Sequence, residues 1–127
     1  MKVLVFGASG MIGSAMFRVL SAKTAWQVWG TLRSSEAKRF FSGDQQDKLV
    51  AGVDVEKHDA LVRIFARVKP DVVINCIGLT KHHKEAEDPQ LALPLNALLP
   101  HRMADLCVVA GARLIHVSTD CVFAGTK

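Results

Sequence analysis

Tyrosine is missing altogether from this chain of 127 residues, and aromatic side chains make up only 6% of it. Whatever acid–base chemistry the chain performs alone, it performs without a phenol. Apolar runs long enough to cross a bilayer are missing too, which excludes a membrane-spanning protein as the expectation. Before its first glycine the chain has one lysine and five apolar residues, a pattern unlike a secretory signal. Cysteine is scarce. Cys76, Cys107 and Cys121 are odd in number, lack metal-ligand spacing and fall in segments that read as buried strand or helix. Reduced core thiols follow, and with them a cytoplasmic location. Arginine-rich runs and interleaved basic and aromatic residues are also absent, so the net charge of +4 does not signal nucleic acid. A small anionic ligand accounts for it equally well.

Half of the residues are hydrophobic, enough for one domain with a real core. The organising stretch is the first fourteen residues. Lys2 to Phe6 reads as a short buried strand, Gly7, Gly10 and Gly13 follow at three-residue spacing, and a helical pattern opens at Met11. Strand, glycine turn and helix in that order cradle a diphosphate. The first glycine permits the turn, the second lets backbone approach the phosphates, and the third lets helix and strand pack closely. N–H groups near Ser9, Gly10, Met11 and Ile12 lie at the positive end of the helix dipole, where an anion is stabilised. The spacing is one residue longer than Gly-x-Gly-x-x-Gly, and an ordinary β-turn-α connection is the competing reading.

A helix from Met11 to about Ala22 leads to a second strand, Trp26 to Leu32, followed by Arg33 and Ser34. At this strand end a dinucleotide site reaches the adenosine ribose. An acidic residue there would accept from a 2′-hydroxyl; Arg33 instead suits a 2′-phosphate, which favours NADP over NAD. A solvated arginine is the plainer alternative. Glu36 to Lys48 reads as a short helix or loop, and Leu49 to Val53 as a third strand ending at Asp54-Val55. Asp54 either borders an adenine with Val55 or caps the helix beginning near Lys57. That helix carries Leu61, Ile64, Phe65 and Val68 on one face and stops before Pro70.

Asp71 to Ile77 reads as a central parallel strand with Asn75 its polar exception, closed by Gly78. The run Lys81-His82-His83-Lys84 reads as a solvated face, and no metal site is expected. Asp88-Pro89 reads as a helix start. Pro94 and Pro100 predict a break in the apolar segment Gln90 to Ala110, with Asn96 between them. Gly111 ends that helix, Arg113 to Val117 is a fifth strand, and Ser118, Thr119 and Asp120 follow. Five strands alternating with helical segments predict an α/β fold, a doubly wound parallel sheet with its ligand at the carboxyl ends of the strands.

Gly7-Ala-Ser-Gly-Met-Ile-Gly13, Asp54-Val55, Asn75-Cys-Ile-Gly78, Leu95-Asn-Ala97 and Val117-Ser-Thr-Asp-Cys-Val-Phe123 occur in the order seen in extended short-chain dehydrogenases/reductases. Within these the chain resembles the dTDP-4-dehydrorhamnose reductase branch. The resemblance implies an NAD(P)-binding Rossmann fold over residues 1–127, with Gly7, Gly10 and Gly13 at the pyrophosphate and Arg33 selecting NADP. It places Cys76, Ile77 and Gly78 at the nicotinamide half. Thr119 matches the family's catalytic Ser/Thr, flanked by Ser118 and Asp120, and the substrate implied is a nucleotide sugar. A non-catalytic relative, the regulatory subunit of methionine adenosyltransferase, resembles the chain as well. The family's proton donor is a tyrosine in Tyr-x-x-x-Lys, and this chain has none. The expectation is therefore the N-terminal part of a longer reductase, cut after its fifth strand, able to bind cofactor but inactive alone. A bare apolar edge on that strand would favour a homodimer.

Overall fold

The computed structural model describes residues 1–23, 25–77 and 98–117. Strands β1 (Lys2–Phe6), β2 (Gln27–Thr31), β3 (Leu49–Val50), β4 (Val72–Asn75) and β5 (Arg113–His116) form one sheet, entirely parallel, in the order β3-β2-β1-β4-β5. From β1 the chain winds outward to β2 and β3, then returns to the other side for β4 and β5. The reversal lies between β1 and β4, and ligands bind at such a point in open parallel sheets.

β1 shows why both faces must be covered. Its side chains alternate across the sheet, and Val3, Leu4, Val5 and Phe6 are all buried. Val3 and Val5 pack with Phe17, Val28, Leu32 and Phe41 under α1 (Met11–Ser21). Leu4 and Phe6 pack on the opposite face with Leu61, Ile64 and Phe65 of α3 (His58–Val68), and with Leu99, Met103 and Cys107 of α4 (Leu99–Ala110). Two aromatic pairs fix these layers: Phe6 with Phe65, ring centres 6.1 Å apart, and Phe17 edge-on to Phe41 at 5.6 Å.

Several element bounds differ from the sequence expectation for local reasons. β3 is two residues long because Gly52, at φ +75°, turns the chain two residues past Val50. β4 stops at Asn75 because the Asn75 side chain takes the Ile77 N–H at 3.0 Å. The polar stretch after β2 is ordered: a 3₁₀ turn (Ser35–Phe40) capped by Ser34, then α2 (Gly43–Gln46) opened by a reciprocal Ser42–Gln45 capping box. Pro100 occupies the first turn of α4, and Gly111 closes it in the left-handed region. β5 is the last strand in the order, so its outer edge has no strand partner among the described residues.

Candidate functional site

At the carboxyl ends of β1, β2, β3 and β4 a cleft of about 330 Å³ opens at the reversal of strand order. Of the residues the sequence nominates, Gly7, Ser9, Gly10, Arg33, Asp54, Val55, Cys76 and Ile77 line it. Residues from four separate loops thus converge on one space.

The three glycines differ in what the fold asks of them. Gly7 has φ +81°, and a Cβ there would lie 2.9 Å from Ile77 Cγ1 and 3.3 Å from the Cys76 carbonyl. At Gly13 an added Cβ would overlap the Gly7 carbonyl, whose carbon would be 2.7 Å away. Both positions must be glycine for the turn to close and α1 to seat. Gly10 is different. Its φ of −75° suits any residue, and a Cβ would meet only the Gly7 oxygen at 3.6 Å, an ordinary contact. No demand of the fold accounts for a glycine there, and the space above it faces the cleft.

Gly10 is also the N-cap of α1 and brings no side-chain acceptor. The first turn closes with Ser14 N–H donating to Gly10 O at 2.8 Å. By helix geometry the N–H groups of Met11, Ile12 and Gly13 then have no acceptor within the helix. Met11 and Ile12 are exposed beside the cleft without lining it, and Gly13 is buried behind them. This is an anion site in form: open N–H groups at a helix start, with backbone clear of side chains in front.

Thr31, Val53 and Glu56 also line the cleft and were not foreseen from the sequence. Thr31 is buried, and it ties the glycine turn to β2 twice: its Oγ1 accepts from Gly7 N–H at 3.3 Å and its carbonyl from Ala8 N–H at 3.0 Å. Arg33 is exposed and is the one basic side chain in the described lining, which also carries the carboxylates of Asp54 and Glu56. Asp54 does not cap α3, whose N-cap is Lys57 without a side-chain bond. Its Oδ1 instead accepts from Glu56 N–H at 3.1 Å, fixing the loop that shapes this wall. Ser34 lies outside the lining, and its hydroxyl accepts from Glu36 N–H at 3.2 Å. Burial pushes the Cys76 thiol above its ordinary pKa, so it presents a neutral S–H to the cleft. Gly78, Asn96, Ser118, Thr119 and Asp120, and the Lys81–Lys84 run, lie outside the described residues.

The model of the RmlD substrate binding domain matches residues 1–127. The chain belongs to that family. Among its relatives, a dTDP-4-dehydrorhamnose reductase of Mycolicibacterium smegmatis is 32% identical over 122 residues, 96% of this chain and 31% of its own length. Methionine adenosyltransferase 2 subunit beta of Xenopus laevis is 30% identical over 126 residues, 99% of this chain and 34% of that protein. The chain therefore spans about a third of the length of these curated relatives. A Thermus thermophilus UDP-glucose 4-epimerase, solved in complex with NAD, superposes with a TM-score of 0.77 at 25% identity, covering 94% of this chain and 38% of that one. The fold is that of the Rossmann dinucleotide-binding proteins.

Proposed function

We propose that this chain is the NADP(H)-binding part of a nucleotide-sugar 4-keto reductase akin to the dTDP-4-dehydrorhamnose reductases. The observation that carries the reading is Gly10. The fold does not need a glycine at that position, whereas a diphosphate lying on the α1 N–H groups does.

In this reading each part of the cofactor has its own residues. Ser9, Gly10 and the N–H groups of Met11, Ile12 and Gly13 would hold the diphosphate, with Gly7 shaping the turn. Arg33 would pair with a 2′-phosphate, and Asp54 and Val55 would border the adenine. Cys76 and Ile77, with Gly78, would line the nicotinamide half, and Asn96 would be a further cofactor contact. When bound, the reduced nicotinamide supplies a hydride. Thr119 Oγ1, flanked by Ser118 and Asp120, would donate a hydrogen bond to the substrate carbonyl oxygen. A proton must still reach the alkoxide oxygen, and this chain has no tyrosine to provide it. Residues 1–127 alone would therefore bind cofactor without turning over substrate.

Calorimetric titration of the chain with NADPH and with NADH tests the reading. Binding of NADPH, tighter than of NADH, is expected; binding of neither would overturn it. A second reading, a non-catalytic NADP-binding regulatory module, is favoured by the 30% identity with the methionine adenosyltransferase subunit. Turnover of a dTDP-linked 4-keto sugar by the full-length parent would decide for the reductase, and cofactor binding without turnover for the module.

A further inference from the structure

Asn75 is fully buried at the carboxyl end of β4, on the face covered by α3 and α4, and its amide is used at both ends. Its Oδ1 accepts from Ile77 N–H at 3.0 Å, and its Nδ2 lies 3.1 Å from Nδ1 of His116, its register partner on β5. The backbone N–H can only donate, which fixes the amide oxygen on the Ile77 side and the NH₂ group toward His116. An NH₂ group also only donates. The contact is therefore a hydrogen bond only in the tautomer that leaves a lone pair on His116 Nδ1 and the proton on Nε2.

We infer that Asn75 is a positioning residue for the cofactor cleft and that neutral His116 holds it in place, so that protonating His116 releases the Ile77 wall. An imidazolium would set an N–H against the NH₂ group. Flipping the amide removes that clash: its oxygen then takes a charge-assisted bond from the imidazolium, and its NH₂ group turns against Ile77 N–H, which loses its acceptor. Ile77 lines the cleft, and its Cγ1 lies against Gly7, where a Cβ would come within 2.9 Å. The linkage thus runs His116, Asn75, Ile77, Gly7. Among the described residues the other titratable or charged groups on the elements packed around His116 are Asp71 and Cys76 flanking β4, His101, Arg102, Asp105 and Cys107 on α4, and Arg113 on β5 itself. Among the described residues none of them hydrogen-bonds the imidazole, and Arg102 is directed to the Glu56 carbonyl at 3.5 Å.

The inference rests on the dinucleotide reading of the cleft only for its effect on binding, so two measurements separate the two ideas. His116→Asn is the informative variant, because its Oδ1 can accept from Asn75 at any pH and has no proton to gain. In NADPH titrations from about pH 8 to about pH 5, the range in which histidine changes charge, the unmodified chain should lose about tenfold more affinity than His116→Asn. Losses common to both report the cofactor's own 2′-phosphate, which titrates at about pH 6. Amide exchange at Ile77, followed by NMR without cofactor and corrected for intrinsic rate, should lose protection at acid pH in the unmodified chain and keep it in His116→Asn. Equal protection in the two proteins would overturn the linkage whatever binds. Equal pH profiles of binding would overturn its role in the cleft. Absence of NADPH binding throughout, with the Ile77 difference intact, would overturn the cofactor reading and leave the linkage standing.

Discussion

Gly13, the third glycine of the opening loop, lies against the carbonyl of Gly7, the first, so closely that a methyl group on it would sit 2.7 Å from the Gly7 carbonyl carbon. Backbone meets backbone there, and neither side can yield without reopening the turn. Gly13→Ala should destabilise the chain by about 1–3 kcal/mol, as overpacking does, and lower its urea midpoint accordingly. Gly10→Ala should change stability by less than about 1 kcal/mol, since the new Cβ finds only ordinary contact and the cap has no side chain to lose. The functional effects should run the other way relative to stability, with Gly10→Ala losing at least about tenfold in NADPH affinity while remaining folded. Unchanged affinity in Gly10→Ala would remove the main reason for placing a diphosphate at this turn.

How much of this was legible beforehand varies by residue, for physical reasons. β1, α1 and the glycine turn announced themselves because burial on both faces leaves a continuous apolar strand and a helix needs its stripe. Arg33 and Asp54 both line the cleft because strand ends in a parallel sheet converge, which strand order alone lets one anticipate. Thr31 was not legible. Its hydroxyl matters only because β2 lies beside β1 in a register that brings it to Gly7 N–H, and pairing is not written in either strand alone. The segment 36–48 has no apolar period to read, yet Ser42-x-x-Gln45 is a capping-box signature that was there to be seen. Asn75 read simply as a polar exception, whereas its amide ends the strand and reaches the next one.

Arg33 lines the cleft as its one basic side chain among the described residues, and it is exposed. Its contribution should therefore be specific to the cofactor's extra phosphate rather than to folding. Arg33→Ala should leave the unfolding free energy within about 0.5 kcal/mol of the parent, as an exposed substitution does. The preference for NADPH over NADH should shrink by about 1–3 kcal/mol in parallel titrations. A preference equal in the two proteins would assign the discrimination elsewhere.

Lys69 closes α3 at φ 52° and ψ 60°, the left-handed region that glycine occupies without steric cost. Its N–H donates to Phe65 O at 2.8 Å, so the cap is formed and only the side chain is unfavourable. Lys69→Gly should raise stability by about 0.5–1 kcal/mol after allowance for the greater freedom of the unfolded chain. Lys69→Ala should bring no comparable gain, because alanine retains the Cβ. A thermal midpoint higher in Lys69→Ala than in Lys69→Gly would refute this account.

Burial pushes the thiols of Cys76 and Cys107 above 9.0, their ordinary value. Ionisation is thus easier in the unfolded chain than in the folded one. Folding retains protons that the unfolded chain releases, so this contribution is intact below about pH 8.5 and declines as pH rises through the raised folded values. Tyrosine usually confuses that alkaline range, and this chain has none. Urea midpoints measured from neutral to alkaline pH should fall more steeply in the parent than in a Cys76→Ala, Cys107→Ala double variant. Parallel curves would show that the thiols do not govern the decline. Cys76 borders the cleft, so its alkylation should be slow at neutral pH and slower still with saturating NADPH.

Thr31 offers the sharpest separation of shape from hydrogen bonding at the site. Its side chain is buried, and its Oγ1 is the acceptor for Gly7 N–H. Thr31→Val keeps the branched shape but leaves that N–H without an acceptor beneath the loop, which should cost about 1–3 kcal/mol of stability. Thr31→Ser keeps the hydroxyl and drops a methyl group, which should cost about 1 kcal/mol through packing. If the bond holds the glycine turn in its cofactor-ready form, Thr31→Val should also weaken NADPH binding, while Thr31→Ser should bind nearly as the parent does. Chemical denaturation and cofactor titration on the same two proteins check both halves. Equal binding by the valine and serine variants would mean that the Ala8 N–H bond to the Thr31 carbonyl, which both retain, holds the turn by itself.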